Sequence, residues 1–317
     1  MAWVVKKYSL IIPIYRNAEN VPSLMLALSK LRDAVNKDIE FVFVVDGSPD
    51  DSGQLLKDAL DRSDFDFQLI FHSRNFGSFT AIRTGMEAAQ GMYVAAMAAD
   101  LQEPPELILE FYNILASGNA DVVFGKREGR NDPLITKTLS NLFWGAYRRF
   151  VMPAMPKGGV DIFGCNRDVR NAVLSIQEPN SSLVAQLFWV GFRREFVPYV
   201  RRVREHGKSA WNFSRRLRYM IDSILSFSDL PIMLVLWLGI IGCSTSLIFG
   251  LVTLIAKLSG FIEETGYTSL ILLTLFLGSL ILTVQGILGM YIWRTAENTK
   301  RRPLNIISNV YKRNKNQ

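Results

Sequence analysis

Cysteine and histidine are scarce, with 2 of each in 317 residues. Cys165 and Cys243 lie 78 positions apart and form no C-x-x-C pair, which argues against a disulfide framework and against a cysteine-based zinc cluster. His72 and His206 have no metal-binding partner at helical or hairpin spacing, so a histidine zinc site is not expected either. A G-x-S-x-G nucleophile elbow and a G-x-x-x-x-G-K-S/T phosphate loop are both missing, which removes two common routes to hydrolase and nucleotide-triphosphate chemistry. The start, Met1 to Lys7, has basic residues after a short apolar patch and no long apolar core before a small-residue cleavage site. No secretory signal is read there, and the N-terminal part is expected to stay in the cytoplasm.

Charge is absent from two long stretches. Residues 230–256 are 27 in a row without Asp, Glu, Lys or Arg, and residues 265–293 are 29 more. A helix needs roughly 20 apolar residues to cross a hydrocarbon core, so the pattern predicts a transmembrane hairpin. It also accounts for the 49% hydrophobic content and the mean hydropathy of +0.15. The short connection holds Lys257, Glu263 and Glu264, whereas Arg215, Arg216 and Arg218 precede the first run and Arg294, Lys300, Arg301 and Arg302 follow the second. The positive-inside rule then places both termini on the cytoplasmic side, in a bacterial inner membrane.

The net charge of +7 is local. Residues 1–192 carry 19 basic and 22 acidic side chains, residues 193–218 carry 9 and 2, and residues 294–317 carry 7 and 1. Basic segments therefore flank the apolar runs, where a lipid phosphate or anionic headgroups would lie, and a nucleic-acid partner is not expected. The organisation expected is a cytoplasmic domain at 1–229, two spans at 230–256 and 265–293, and a basic tail at 294–317. Leu134–Met152 has the pattern of an amphipathic interfacial helix or of one packed on the domain, and Leu217–Phe227 is similar. Two spans form a thin anchor, which suits a homo-oligomer.

Through the first 130 residues, short runs rich in β-branched and aromatic residues alternate with helical patterns. Tyr8–Tyr15, Glu40–Asp46, Phe67–His72 and Tyr93–Ala98 read as strands; Val21–Val35, Gln54–Asp61 and Phe79–Ala89 read as helices. The alternation predicts an α/β fold with a mostly parallel sheet covered on both faces. Ligands of such sheets bind beyond the carboxyl ends of the strands. The residues there are Pro13-Ile14-Tyr15-Arg16-Asn17-Ala18-Glu19-Asn20, Asp46-Gly47-Ser48-Pro49-Asp50-Asp51-Ser52, Ser73-Arg74-Asn75-Phe76-Gly77 and Ala99-Asp100-Leu101-Gln102-Glu103-Pro104-Pro105-Glu106.

Together with R-E-H-G-K-S-A-W at Arg204–Trp211 and the two-span tail ending in Lys300–Pro303, these segments resemble the family 2 glycosyltransferases of GT-A fold. The branch they resemble transfers sugars to polyprenyl phosphates, as dolichol-phosphate mannose synthases and bactoprenol glucosyltransferases do. The resemblance implies a UDP- or GDP-sugar donor, a polyprenyl phosphate acceptor and a Mg²⁺ or Mn²⁺ ion, which prefers carboxylate, phosphate and water oxygens. It assigns Asp100 to the metal, with Gln102 helping to orient it. Pro13, Tyr15 and Asp46 would line the nucleoside pocket. Asp161, in Gly158-Gly159-Val160-Asp161, would position the acceptor or act as base.

Two anions must meet in such a site, so cations are needed. Arg204 with Lys208, Arg74 and, less strongly, Arg127 are the candidates, because a guanidinium donates two parallel hydrogen bonds to phosphate. The chain departs from the family pattern at Ala98, where the D-x-D motif has its first Asp. Water, the donor phosphates or Glu103 could replace that carboxylate, or the chain binds donor without efficient turnover. A processive polysaccharide synthase is the rival enzyme reading, against which stand the lack of a Q-x-x-R-W motif and the presence of only two spans.

Overall fold

A computed structural model describes residues 6–128, 145, 147–149, 151–156, 160, 162–178, 181–202, 221, 224, 227–228, 230–260 and 266–313. The chain divides into two units, Met1–Ser223 with Arg302–Gln317, and Ile224–Arg301.

The first unit is built on β1 (Tyr8–Ile14), β2 (Ile39–Val45), β3 (Phe67–His72), β4 (Tyr93–Ala96), β5 (Val122–Glu128), β6 (Ile162–Asn166), β7 (Arg194–Val200) and β8 (Ile307–Arg313). They form one sheet in the order β7-β5-β6-β4-β1-β2-β3-β8. Its central strands pair parallel, Tyr8 with Ile39 and Tyr8 with Tyr93, while β6 and β8 run against their neighbours. Strand β2 (IEFVFVV) is buried at every residue, as expected of a strand covered on both faces.

Helices α1 (Val21–Ala34), α2 (Ser52–Arg62) and α4 (Pro105–Ala116) supply Leu24, Leu28, Leu56, Leu60, Phe111 and Tyr112 to the core that Leu10, Ile12, Phe41 and Phe43 form on one face. Helix α3 (Ser78–Ala88) packs on β1 and β2 at the opposite face, near α5 (Arg167–Ser175), which in turn meets α6 (Leu183–Trp189). Local chemistry sets the helix starts. Proline stands in the first turn of α1 and α4, the Asn166 side chain accepts from the Val169 amide at 3.0 Å, and Ser182 Oγ accepts from the Ala185 amide at 3.2 Å.

The expected strands and helices of the first 100 residues are present, with ends displaced by a residue or two. Strand β4 stops at Ala96, because the chain turns through Ala99–Asp100 and Leu101 takes φ 53°. The segment 294–317, expected as a basic tail, contains β8: Ile307–Arg313 adds an antiparallel strand to the free edge of β3. Most of the expected helix at Leu134–Met152, and most of Leu217–Phe227, lies outside the described residues. At the described end of the former, Tyr147 and Met152 are buried.

The second unit contains α7 (Leu230–Leu258) and α8 (Tyr267–Thr299). Its apolar side chains are exposed, among them Trp237, Leu251, Phe276, Leu282 and Ile292. Among the described residues, Phe276–Thr299 is the one segment long and apolar enough to cross a membrane, and Pro231–Gly242 is a shorter apolar stretch. The Tyr291 hydroxyl donates to the Ser228 carbonyl at 3.4 Å.

Gly85 is where α3 comes closest to the sheet. A Cβ there would stand 2.3 Å from Ile11 Cγ2, well inside contact distance. Gly85→Ala should therefore lower the unfolding free energy by about 1–3 kcal/mol, and adding Ile11→Val should recover part of it. Thermal melting of the four members of this double-mutant cycle checks both outcomes, and equal melting of Gly85→Ala and the parent refutes the close approach.

Candidate active site

Strands β1 to β5 and β7 all end at one edge of the sheet, and the antiparallel β6 and β8 begin there. The edge thus gathers the loops after β1, β2, β3 and β4, the ends of β5 and β7, and the start of β6 at Ile162. Asp161, Arg204 and Lys208 lie outside the described residues.

The first two loops are fastened by hydrogen bonds from backbone to side chain. Asp50 accepts from the hydroxyls of Ser48 and Ser52 and, at 3.4 Å, from the Ala18 amide. Those hydroxyl oxygens in turn accept from the Arg16 and Asn17 amides, each at 2.8 Å. Arg16, at φ 54°, closes a turn in which the Tyr15 amide donates to Asn17 Oδ1 at 3.1 Å. Pro13 and Tyr15 sit half-buried at this edge. Burial alone would raise the Asp50 pKa, but the hydrogen bonds from Ser48, Ser52 and two backbone amides outweigh it and hold the group below its ordinary 3.8.

Asp46, expected at the nucleoside pocket, lies at this edge and is tied to the neighbouring loop. It is 2% exposed, and its carboxylate is engaged within the protein. Oδ1 accepts from the Phe76 amide at 2.8 Å and faces His72 Nδ1 at 2.8 Å, while Oδ2 accepts from the Gly77 amide at 2.8 Å. The Asn75 amide group donates to the Asp46 carbonyl at 3.2 Å. Asp46 therefore shapes the loop after β3. Gly47 completes the contact: at φ 56°, a Cβ would lie 2.3 Å from the Arg74 carbonyl carbon. Arg74 itself is exposed, its guanidinium 4.0 Å above the Phe76 ring.

The loop after β4 carries Asp100, half-buried, whose Oδ1 accepts from the Gln102 amide at 3.3 Å. Gln102, expected beside the metal, joins this loop to the end of β7. Its Oε1 accepts from Arg201 Nη2 at 2.8 Å and its Nε2 donates to the Arg202 carbonyl at 3.3 Å, while the Arg202 amide donates to the Gln102 carbonyl at 2.9 Å. Glu103 is 4% exposed and faces Arg201 Nε at 3.7 Å, so this carboxylate is committed to an arginine. Arg201 and Arg202 were not singled out from the sequence. Their partners are about 100 positions away, and the only local signal is the basic run itself.

Arg127 ends β5 at the same edge, opposite Tyr199. Its Nε is buried and, among the described residues, has no hydrogen-bond partner, so it is a donor that an incoming oxyanion could satisfy. Among the described residues no group of three or more His, Cys, Asp or Glu could hold a metal ion. Mg²⁺ or Mn²⁺ normally takes one or two carboxylates and completes its shell with phosphates and water. The single carboxylate of Asp100 fits an ion that arrives with a diphosphate.

The sequence pattern of glycosyl transferase family 2 matches residues 9–196, which span β1 to the middle of β7. The chain belongs to this family. Its α/β architecture, with a mostly parallel mixed sheet, is the GT-A fold that the sequence motifs led one to expect. CsbB of Bacillus subtilis (strain 168), named a glycosyltransferase, is 34% identical over 93% of this chain and 89% of its own length. The bactoprenol glucosyl transferase of Shigella phage SfV is 30% identical over 96% and 98%. The prophage bactoprenol glucosyl transferase homolog of Escherichia coli (strain K12) is 29% identical over 96% and 100%. Among solved structures, the mannosyltransferase PcManGT from Pyrobaculum calidifontis in complex with GDP-Man and Mn²⁺ is similar at a TM-score of 0.49 and 17% identity, over 69% of this chain and 63% of that one.

The lowered pKa of Asp50 gives a sign to the pH dependence. A carboxylate with a depressed folded pKa contributes stability in full above its unfolded value and loses it as pH falls through the folded one. Asp50→Asn should melt lower than the parent at pH 7, by about 1 kcal/mol of stability, and the gap should begin to narrow as pH falls below about 3.8. Melting curves at pH 7 and pH 3.5 test this; a gap that persists unchanged at pH 3.5 removes the charged brace.

Proposed function

We propose that this glycosyltransferase moves a single sugar from a nucleotide-sugar donor to a polyprenyl phosphate at the cytoplasmic face of a bacterial inner membrane. The observation that carries the reading is the joining, in one chain, of a family 2 catalytic edge to a helical unit whose apolar side chains face outward. Relatives named bactoprenol glucosyl transferase match over nearly their whole length, including that helical unit.

Connectivity supports a two-pass anchor. The helical unit is inserted between two parts of the first unit, and β7 before it and β8 after it belong to the same sheet. A chain whose two flanks are held on one side of a bilayer crosses it an even number of times. Since α8 contains the segment of membrane length, α7 is read as the returning crossing. Both termini and the catalytic edge then share the cytoplasmic side.

The reaction forms a bond between a lipid phosphate oxygen and the anomeric carbon. The bond from that carbon to the donor diphosphate breaks, and the electron pair leaves with the nucleoside diphosphate. The acceptor is already anionic near neutral pH, so placement matters more than a strong base. Pro13 and Tyr15 border the nucleoside side, and Arg74 can swing from Phe76 toward the diphosphate. Arg127 offers its buried Nε to an oxyanion. Asp100 would hold Mg²⁺ or Mn²⁺, which when bound absorbs negative charge on the leaving diphosphate. Asp161 is assigned to orienting the acceptor, and Arg204 and Lys208 to its phosphate, because two anions approach only where cations screen them.

Mass spectrometry of the lipid fraction after incubation with a mixed pool of nucleotide sugars and undecaprenyl phosphate should reveal one added sugar per lipid. A ladder of products would support a processive synthase instead. Donor binding by calorimetry without release of nucleoside diphosphate would support a non-catalytic scaffold. Asp100→Asn should reduce turnover by at least about a hundredfold; near-normal turnover in that variant would remove Asp100 from the metal.

A further inference from the structure

Strand β8 is fastened most closely where β3 gives way to the loop that Asp46 holds. The ladder runs from Phe67 opposite Arg313 to His72 opposite Ile307, with an irregularity between Phe71 and His72. Past the end of β3, the Ser73 amide donates to the Ile306 carbonyl at 2.9 Å, and Ser308 Oγ donates to the Phe71 carbonyl at 3.1 Å. The next residues are Arg74, Asn75, Phe76 and Gly77, whose amides and side chains meet Asp46 and Gly47 with no space left for a Cβ.

The far end of β8 grips α2. The Arg313 guanidinium donates to the carbonyls of Leu60, Ser63 and Asp61 at 3.1, 2.8 and 3.0 Å, covering the carbonyl end of that helix. The Lys57 ammonium lies 4.1 Å from the centre of the Tyr311 ring, which meets the edge of Phe71 at 5.8 Å. Helix α2 and the loop after β3 both flank the Asp46–Asp51 loop, beside the loop after β1. One exposed strand therefore spans both supports of the donor side.

We propose that β8 is a positioning element of the donor site: its pairing with β3 and α2 sets the Ser73–Gly77 loop, and through Asp46 and Gly47 the loop after β2, in the form that receives the donor nucleotide. The proposal rests on the reading of this edge as a nucleotide-sugar site. Because β8 follows α8 in the chain, the donor loop is fastened by the segment that leaves the helical unit. Burial gives β8 little reason to form on its own, since its residues are exposed except for Arg313, which is half-buried. Backbone pairing and the Arg313 contacts hold it.

The test compares the intact chain with one cut after Pro303. Removal of β8 should weaken binding of UDP or GDP, measured by calorimetry with Mg²⁺ present, by roughly tenfold or more, within the usual range of coupling between sites. It should also speed amide hydrogen exchange in residues 73–77, and a synthetic peptide of residues 304–317 should restore both. A cut chain that keeps the parent affinity and the parent exchange at 73–77 overturns the proposal. If the cut chain fails to fold, the reciprocal effect in the intact protein decides: bound nucleotide should slow exchange of the β8 amides, and unchanged exchange there overturns the coupling. If the intact protein binds neither nucleotide, the donor reading falls, while the exchange comparison at 73–77 still decides whether β8 sets the loop.

Discussion

A parallel strand that ends in a sharp turn leaves backbone amides with no ladder partner, and orphan amides at a partly buried edge carry a large desolvation cost. At the carboxyl edge of this sheet they are met by side-chain oxygens. Asp46 takes the amides of Phe76 and Gly77, Ser48 and Ser52 take those of Arg16 and Asn17, and Asp50 binds the two serines. A carboxylate accepts such bonds more strongly than a neutral oxygen does, so two acids do the work of many contacts. The arrangement explains why Asp46 is buried while the functional groups around it, Arg74 and Asp100 among them, are open or half-open. Shape is held from within, and the exposed side chains keep the freedom to meet a ligand.

The same edge is where the chain joins the rest of the molecule. Strand β7 ends there and hands on, through Arg201 and Arg202, to the basic segment that precedes the helices, while β8 brings the chain back beside β3. The loop of Asp100 is bonded to the first junction and the loop of Arg74 to the second. In the chain, both connections between the sheet and the helical unit therefore leave from the edge that carries the polar loops.

How much of this was legible in the sequence differs by element. Strands β1 to β3 announce themselves because burial on both faces demands continuous apolar runs such as Ile39–Val45, and the helices between them alternate in the expected way. The polar clusters after β1 to β4 were legible as a candidate site because all four share one edge. Strand β8 was not: Ile-Ser-Asn-Val-Tyr-Lys-Arg buries almost nothing, and an edge strand held by backbone pairing leaves little hydrophobic signal. The inward task of Asp46 was hidden for a related reason, since its partners are backbone amides 30 and 31 positions away and any residue type can supply an amide. Gln102 and Arg201 are paired across 99 positions, beyond the reach of any local pattern.

The missing acid at Ala98 fits this electrostatic layout. Glu103 is close in sequence, but its buried carboxylate faces Arg201 Nε at 3.7 Å, and moving it to a metal would cost that ion pair. In the proposed reaction, the single carboxylate of Asp100 would therefore leave more of a cation's shell to the diphosphate that brings it. A site with fewer fixed negative charges also repels an anionic acceptor less, because each carboxylate removed lowers the Coulomb cost of bringing a lipid phosphate near a sugar diphosphate. The arginines at the edge act in the same direction. If the proposed transfer to a lipid phosphate holds, the alanine would trade tighter metal binding for easier approach of a second anion, a balance suited to an acceptor that is itself a phosphate.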